Sequence, residues 1–367
     1  MRPYVLTPAV AMFLLQLAAC GDPEVIRLGF VGRLEGRASE ISIASLSAVR
    51  MAVDARNEAG GINGRQIRVF VRDDHGTAEG GAEAARSLIS EGVEAIIGPN
   101  LSVVAGGMVP VINEAEIVAI SPTVASQYFV GQDDYFYRIN SSTHEVAKSY
   151  AKHCIDAGHQ KVAIGFDGKN QLYSMNLIHA FDEAFTALGG TLIEFREFNS
   201  TIRGDIPRLA IELSDSNPDA LILLANAVDT ALLAQQIRKH DTEVALLASQ
   251  WATSDSLLTL GGGAIDGITL LQAYDGFDKS ERYIAFGDSY SARFQSSPRF
   301  ASIAAYDGVT VLFSVIENLA EDESIKSSID AIGRFQGLQQ IVEFDDFGDS
   351  TRKITTITVQ EGKFIPK

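Results

Sequence analysis

Short β-rich apolar runs alternate with amphipathic stretches along most of this chain, each pair separated by a turn. "VIRLGFVG" leads into "ISIASLSAVRMAVDARNEAGG", where Leu46, Val49, Ala52 and Val53 fall on one helical face and Gly60-Gly61 stops the helix. "RQIRVFVRDD" alternates as a strand does and leads into "GGAEAARSLISEG"; "VEAIIGPN" leads into "VVAGGMVPVINEA"; "EIVAISP" ends a first set. The cycle resumes with "QKVAIGFD", "GTLIEFREF", "PDALILLAN" and "EVALLASQW", each followed by a helical period. Strands that alternate with helices predict βαβ units and mainly parallel sheets. Near-continuous apolar strands such as "ALILLA" predict that both sheet faces are covered. One set runs from about 25 to 140 and another from about 145 to 270, with no low-complexity linker between them. The expected fold class is therefore α/β, with two doubly wound lobes linked by several crossings. A later long helix, "ASIAAYDGVTVLFSVIENLAE", and a strand pair in "RKITTITVQEGKF" complete the pattern.

The first nineteen residues break the cycle. One charge, Arg2, precedes an apolar run of about a dozen residues that ends in Leu17-Ala18-Ala19-Cys20. That run is shorter than the ~20 apolar residues a spanning helix needs. It has the plan of a secretory signal: a basic start, an apolar middle and small residues before the cut. Small residues followed by Cys resemble the bacterial lipobox, in which the thiol is acylated. Cys20 is thus the expected lipidation site, residues 1–19 the signal peptide, and the rest a body tethered outside the cytoplasm. No other segment approaches 18 uncharged apolar residues. Cys154 is the one cysteine left, so no intrachain disulfide is expected, and its helical spacing with Tyr150 and Ala151 predicts a buried position. The net charge of −17 disfavours nucleic acid and anionic lipid as surface partners.

Ligands of open parallel sheets bind outside the C-terminal strand ends. Those ends carry Leu101-Ser102-Val103, Thr123 to Ser126, Asp167 to Ser174, Asn226-Ala227 and Gln250-Trp251-Ala252-Thr253. Hydroxyls, amides and rings of this kind orient and bury a small molecule. No G-x-S-x-G elbow, Walker loop, H-E-x-x-H or Cys-x-x-Cys occurs. The six histidines lack ligand spacing, and the carboxylates of "RDDHG" read as a polar strand end. No catalytic set, metal or cofactor is expected.

In their order, "IRLGFVGRLEGRAS", "AVDARNEAGGINGRQIRVFVRDD", "LISEGVEAIIGPNLS", "VAISPTVAS", "DDYFYRIN", "QKVAIGFDGKNQLYS" and "AAYDGV" resemble landmarks of a known family. It is the type I periplasmic solute-binding proteins of the branched-chain amino acid (Leu/Ile/Val-binding) group, which feed ABC importers. The resemblance implies a Venus-flytrap: two lobes joined by three hinge crossings and closing on a ligand. It implies a first lobe of residues 25–142 plus 273–340 and a second of 143–272 plus 341–367. It also implies a monomer that captures an amino acid or related small carboxylate and delivers it to an ABC permease, in the periplasm or at the outer face of the cytoplasmic membrane. A sensor reporting the ligand to a membrane kinase or chemoreceptor is the alternative. The implied ligand-binding residues are Ser102, Val103, Thr123, Ala125, Ser126, Tyr173, Asn226, Gln250 and Trp251. Ala125 stands where leucine-type members have a threonine, leaving Thr123 or Ser126 as the hydroxyl source. Asn226 and Ala227 stand in place of tyrosines, Ile41 in place of a vestibule tryptophan, and Gln250 in place of the acid that pairs with the ligand ammonium. Arg37 is a candidate carboxylate partner at the cleft mouth, or a solvated loop arginine.

Overall fold

The computed structural model describes residues 25–36 and 39–367; the expectations for residues 1–19, Cys20 and Arg37 lie outside them. The first lobe opens with β1 (Ile26–Gly32), α1 (Glu40–Glu58), β2 (Ile67–Asp73), α2 (Ala78–Ser90), β3 (Ala95–Ile97), α3 (Ser102–Glu114), β4 (Ala119–Ser121) and β5 (Phe136–Arg138). Its five strands lie in the order β2-β1-β3-β4-β5, and all neighbouring pairs are parallel. The chain then crosses to α4 (Thr143–Asp156), β6 (Lys161–Asp167), α5 (Gln171–Ala187), β7 (Thr191–Phe198) and α6 (Asp205–Asp215). Next come β8 (Ala220–Leu224), α7 (Ala227–His240), β9 (Ala245–Ser249), α8 (Asp255–Gly261) and β10 (Thr269–Gln272). It returns through α9 (Glu281–Phe294), α10 (Phe300–Asn318), α11 (Ile325–Ile332) and the antiparallel pair β11 (Arg334–Gln336) and β12 (Ile341–Glu343). It ends in the hairpin of β13 (Thr355–Gln360) and β14 (Lys363–Pro366). The second sheet runs β14-β13-β10-β9-β8-β6-β7, parallel except for that hairpin edge.

The apolar strands have the two-sided role their composition predicts. In β8, Leu221 and Leu223 point into the core under α6 and α7, while Ala220, Ile222 and Leu224 point into the core under α4 and α5. In β3, Ala95 and Ile97 face α1 and α10, and Ile96 faces α2 and α3. Alternation places successive side chains on opposite faces, so a strand covered on both sides must be apolar throughout. Cys154 is a free, fully buried thiol on α4, and burial pushes it up to about 12. By length and apolar composition alone, α10 would suffice to cross a membrane. Here it is a core helix, packed against α1, β3 and β4, with Asp307 buried in its middle.

Three crossings run side by side between the sheets, after β5, after β10 and after β12. Ser141 in the first receives the Arg352 N–H of the third at 2.7 Å, and Ser350 donates to the Ile139 carbonyl at 2.8 Å. Gln340 donates to the Ala273 carbonyl of the second crossing at 3.3 Å. The boundary expected at 341 falls differently: β12 pairs with β11, and Val342 and Phe344 are buried with Phe335 in the first lobe's core. The last crossing therefore follows Phe344, because those two side chains have their apolar partners in the first lobe.

Candidate functional site

The C-terminal ends of both sheets face one another, and a cavity of about 30 Å³ lies between them. From the first lobe it is lined by Ile41, Asn100, Leu101, Ser102, Thr123 and Phe300. From the second it is lined by Asn170, Tyr173, Gln250 and Trp251. Five of the nine residues expected from sequence thus meet in one place: Ser102, Thr123, Tyr173, Gln250 and Trp251.

Local structure explains how each is aimed. Ser102 opens α3, so the first-turn N–H groups of a 13-residue helix point at the cleft. The Val103 N–H donates to Asn170 Oδ1 across the lobes at 3.2 Å. An amide oxygen from the other lobe thus sits where a helix N-terminus attracts an anionic oxygen. Asn100 Oδ1 accepts from Ser45 Oγ at 2.8 Å and lies 3.2 Å from Thr123 Oγ1. This fixes the amide and leaves the buried Asn100 Nδ2 without a partner. Gln250 follows β9 on a short turn, and its Oε1 accepts the Ala273 N–H at 3.0 Å. Its amide nitrogen is therefore turned away from that bond and available as a donor. Trp251 is 8 % exposed, and its buried Nε1 donor is also unpartnered. Tyr173, in the first turn of α5, is buried against Ser249, and desolvation raises its phenol well above the usual range.

Among the described lining residues none is charged. Unpaired N–H donors surrounded by rings suit an acceptor such as a carboxylate, since a buried donor left unpaired costs roughly 1–3 kcal/mol. An ammonium would find no carboxylate among them.

The remaining expected residues lie elsewhere. Val103 contributes its backbone to the lobe contact just described. Ala125 is packed in the second lobe's core, and its carbonyl accepts the Thr143 N–H at 2.6 Å. Ser126 donates to Asn176 Oδ1 at 2.7 Å. Asn226 caps α7, accepting the Asp229 N–H at 3.1 Å, and borders a separate polar cavity with Arg33, Asp167 and Lys169. Burial raises the Asp167 carboxyl above its usual range. In "RDDHG" the carboxylates build a turn: Asp73 accepts the His75 N–H and Asp74 the Gly76 N–H, both at 2.8 Å. Burial pushes Asp74 up to about 6. Sequence reasoning overlooked Asn100 and Phe300. Asn100 was visible as the amide ending "VEAIIGPN". Phe300 lies far along the chain at the start of a helix, and nothing local marks it as part of the cleft.

Comparison with known proteins agrees with this geometry. The family model for periplasmic binding proteins matches residues 25–363. A Leu/Ile/Val-binding protein of Rhizobium johnstonii is 24% identical over 319 residues, covering 84% of this chain and 83% of its own. Among solved structures, the branched-chain amino acid transporter substrate-binding protein LivJ from Streptococcus pneumoniae, in complex with isoleucine, superposes with a TM-score of 0.85. It is 20% identical and covers 93% of this chain and 98% of that one. An R. palustris ABC-transporter solute-binding protein in complex with benzoate gives the same TM-score at 17% identity, over 94% of this chain and 95% of that one. At such identities the solved structures share the fold, and their ligands are their own. Two parallel-sheet lobes, a cleft at their strand ends and a family match along nearly the whole chain make this protein a member of the periplasmic binding protein family.

Proposed function

We propose that this protein captures a small carboxylate between its lobes and hands it to an ABC importer, with no catalytic step. The observation that carries this reading is the inner cavity, whose lining residues Asn100 and Trp251 carry buried N–H donors without partners among the described residues, and where no described lining residue is charged. A carboxylate would take these donors, the Gln250 amide and the α3 N-terminus, while Tyr173, Trp251 and Phe300 would cover an apolar or aromatic body. The absence of an acid at Gln250 favours carboxylates without an α-ammonium over branched-chain amino acids. A cavity of about 30 Å³ holds about one water-sized group. Entry therefore requires the lobes to part, and the ligand favours closure only by its greater affinity for the closed form.

The test is a melting-temperature panel of amino acids, aromatic carboxylates and short-chain carboxylates. A ligand that binds only the folded state stabilises it by RT ln(1 + [L]/Kd), about 2.7 kcal/mol at a hundredfold excess over Kd. Aromatic or short-chain carboxylates should raise the transition, and leucine should do so less. A shift with amino acids alone would transfer the reading to an ammonium held without an acid.

The proposal includes a lipid anchor at Cys20 and residence in the periplasm or on the outer face of the cytoplasmic membrane, supported by the lipobox-like Leu17-Ala18-Ala19-Cys20. Cys20→Ser should move the protein from the membrane pellet to the soluble fraction. A variant that still sediments with membranes would refute the anchor.

A further inference from the structure

A second cavity adjoins the first and is much larger, about 430 Å³. The two share Ile41, Trp251 and Phe300 as a common wall. The outer one has a different chemistry. Thr253 Oγ1 and Ser254 Oγ line it as buried hydroxyls without partners, on residues 2 % and 9 % exposed. Glu40 and Asp255 bring carboxylates to its lining. Asp255 is held by Arg299 at 2.5 Å, and Glu40 Oε1 accepts the Ser256 hydroxyl at 3.0 Å across the lobes. Desolvated hydroxyls with nothing to bond are costly unless a ligand or ordered water satisfies them.

Volume and chemistry divide the labour between the cavities. The inner one has room for a single small polar head, and two of its lining residues, Asn100 and Trp251, carry buried N–H donors without partners among the described residues. The outer one has room for a body, and its unpartnered groups are the Thr253 and Ser254 hydroxyls, which both donate and accept, and the Nε–H of Arg299 beside the Asp255 carboxylate.

We propose that the ligand is a two-ended carboxylate spanning both cavities. Its carboxylate fills the inner cavity and its apolar or aromatic middle passes the wall of Ile41, Trp251 and Phe300. A distal hydroxyl or amine ends against Thr253, Ser254 and Glu40. This rests on the carboxylate reading above and adds the length and the polar far end of the ligand. Branched-chain amino acids and unsubstituted short carboxylates lack that end and leave the outer hydroxyls unpaired.

The experiment is a calorimetric titration of the purified protein with phenylacetate, 3-phenylpropionate, 3-(4-hydroxyphenyl)propionate and 4-aminophenylacetate. The single tryptophan, Trp251, gives a parallel fluorescence readout from the shared wall. A distal hydroxyl or amine should tighten binding about tenfold or more over the matching unsubstituted carboxylate, as one or two hydrogen bonds in a desolvated site do. The double substitution Thr253→Val with Ser254→Ala should erase that gain while leaving 3-phenylpropionate affinity within about twofold; retained binding of that probe also certifies the variant's fold. Equal affinities with and without the distal group overturn the proposal on the native protein alone. So does a gain that survives the double substitution. If none of the four carboxylates binds, the carboxylate reading itself fails, and this inference falls with it.

Discussion

Asp307→Ala should destabilise the protein by roughly 3–5 kcal/mol, because it strands a buried guanidinium. Asp307 is fully buried in α10. Its Oδ2 accepts from Arg352 Nη2 at 2.7 Å and its Oδ1 from the Leu338 N–H at 2.6 Å. Arg352 belongs to the last crossing, and its Nε donates to the Ile139 carbonyl of the first at 3.0 Å. One carboxylate thereby neutralises the cation that ties two crossings to the first lobe. Asp307→Asn keeps an acceptor oxygen for one of the two donors, sets an NH2 against the other and removes the charge, so it should lose somewhat less than Asp307→Ala. The double variant Asp307→Leu with Arg352→Met should recover much of the loss, since replacing a buried pair with apolar side chains is often neutral or better. Urea unfolding of the three variants checks this. A loss below about 1 kcal/mol for Asp307→Ala would mean that water reaches the guanidinium and that the pair anchors little.

Trp251→Ala should weaken binding of the tightest carboxylate found in the panel by about 30- to 1000-fold, roughly 2–4 kcal/mol, the range of a central aromatic anchor. The indole follows β9 of the second lobe yet is buried among the apolar side chains of the first. It also walls both cavities. Removing it subtracts contact area from the ligand and from the lobe contact that closure creates. Trp251→Phe keeps a ring there but not the N–H, and should lose about tenfold, the value of one hydrogen bond to a charged acceptor. Calorimetric titration separates the two variants. Unchanged affinity in Trp251→Ala would remove the indole from the ligand wall.

The functional proposals share one logic. The inner cavity lacks the acid an ammonium would require among its described lining residues, whereas its unpartnered donors match a carboxylate. The outer cavity supplies volume and a second set of unpartnered polar groups, the Thr253 and Ser254 hydroxyls and the Arg299 Nε–H. Gln250 is central to this contrast: the Ala273 N–H occupies its oxygen, so it presents a donor to the cleft.

The sequence by itself determined what depends on neighbours along the chain. Period-2 and period-3.6 patterns record which faces are buried, so the βαβ repeats, the two-sided strands and the burial of Cys154 were legible in "ALILLA", "ISIASLSAVRMAVD" and "AKSYAKHCIDAGH". Strand ends are also local, which is why Ser102, Thr123, Tyr173, Gln250 and Trp251 could be named before any fold was seen. Tertiary structure alone decided which strand ends face one another. Ser126 and Asn226 carry the same polar vocabulary as Ser102 and Gln250, yet they satisfy Asn176 and Asp229 instead of lining the inner cavity. Ala125 lies in the core and Phe300 in the cleft because sheet order and helix packing put them there. The pairing of Asp307 with Arg352, 45 positions apart, and the last crossing beyond Phe344 have the same origin. Such contacts join residues far apart in the chain, so no local period can encode them; they follow from how the two lobes bury their faces together.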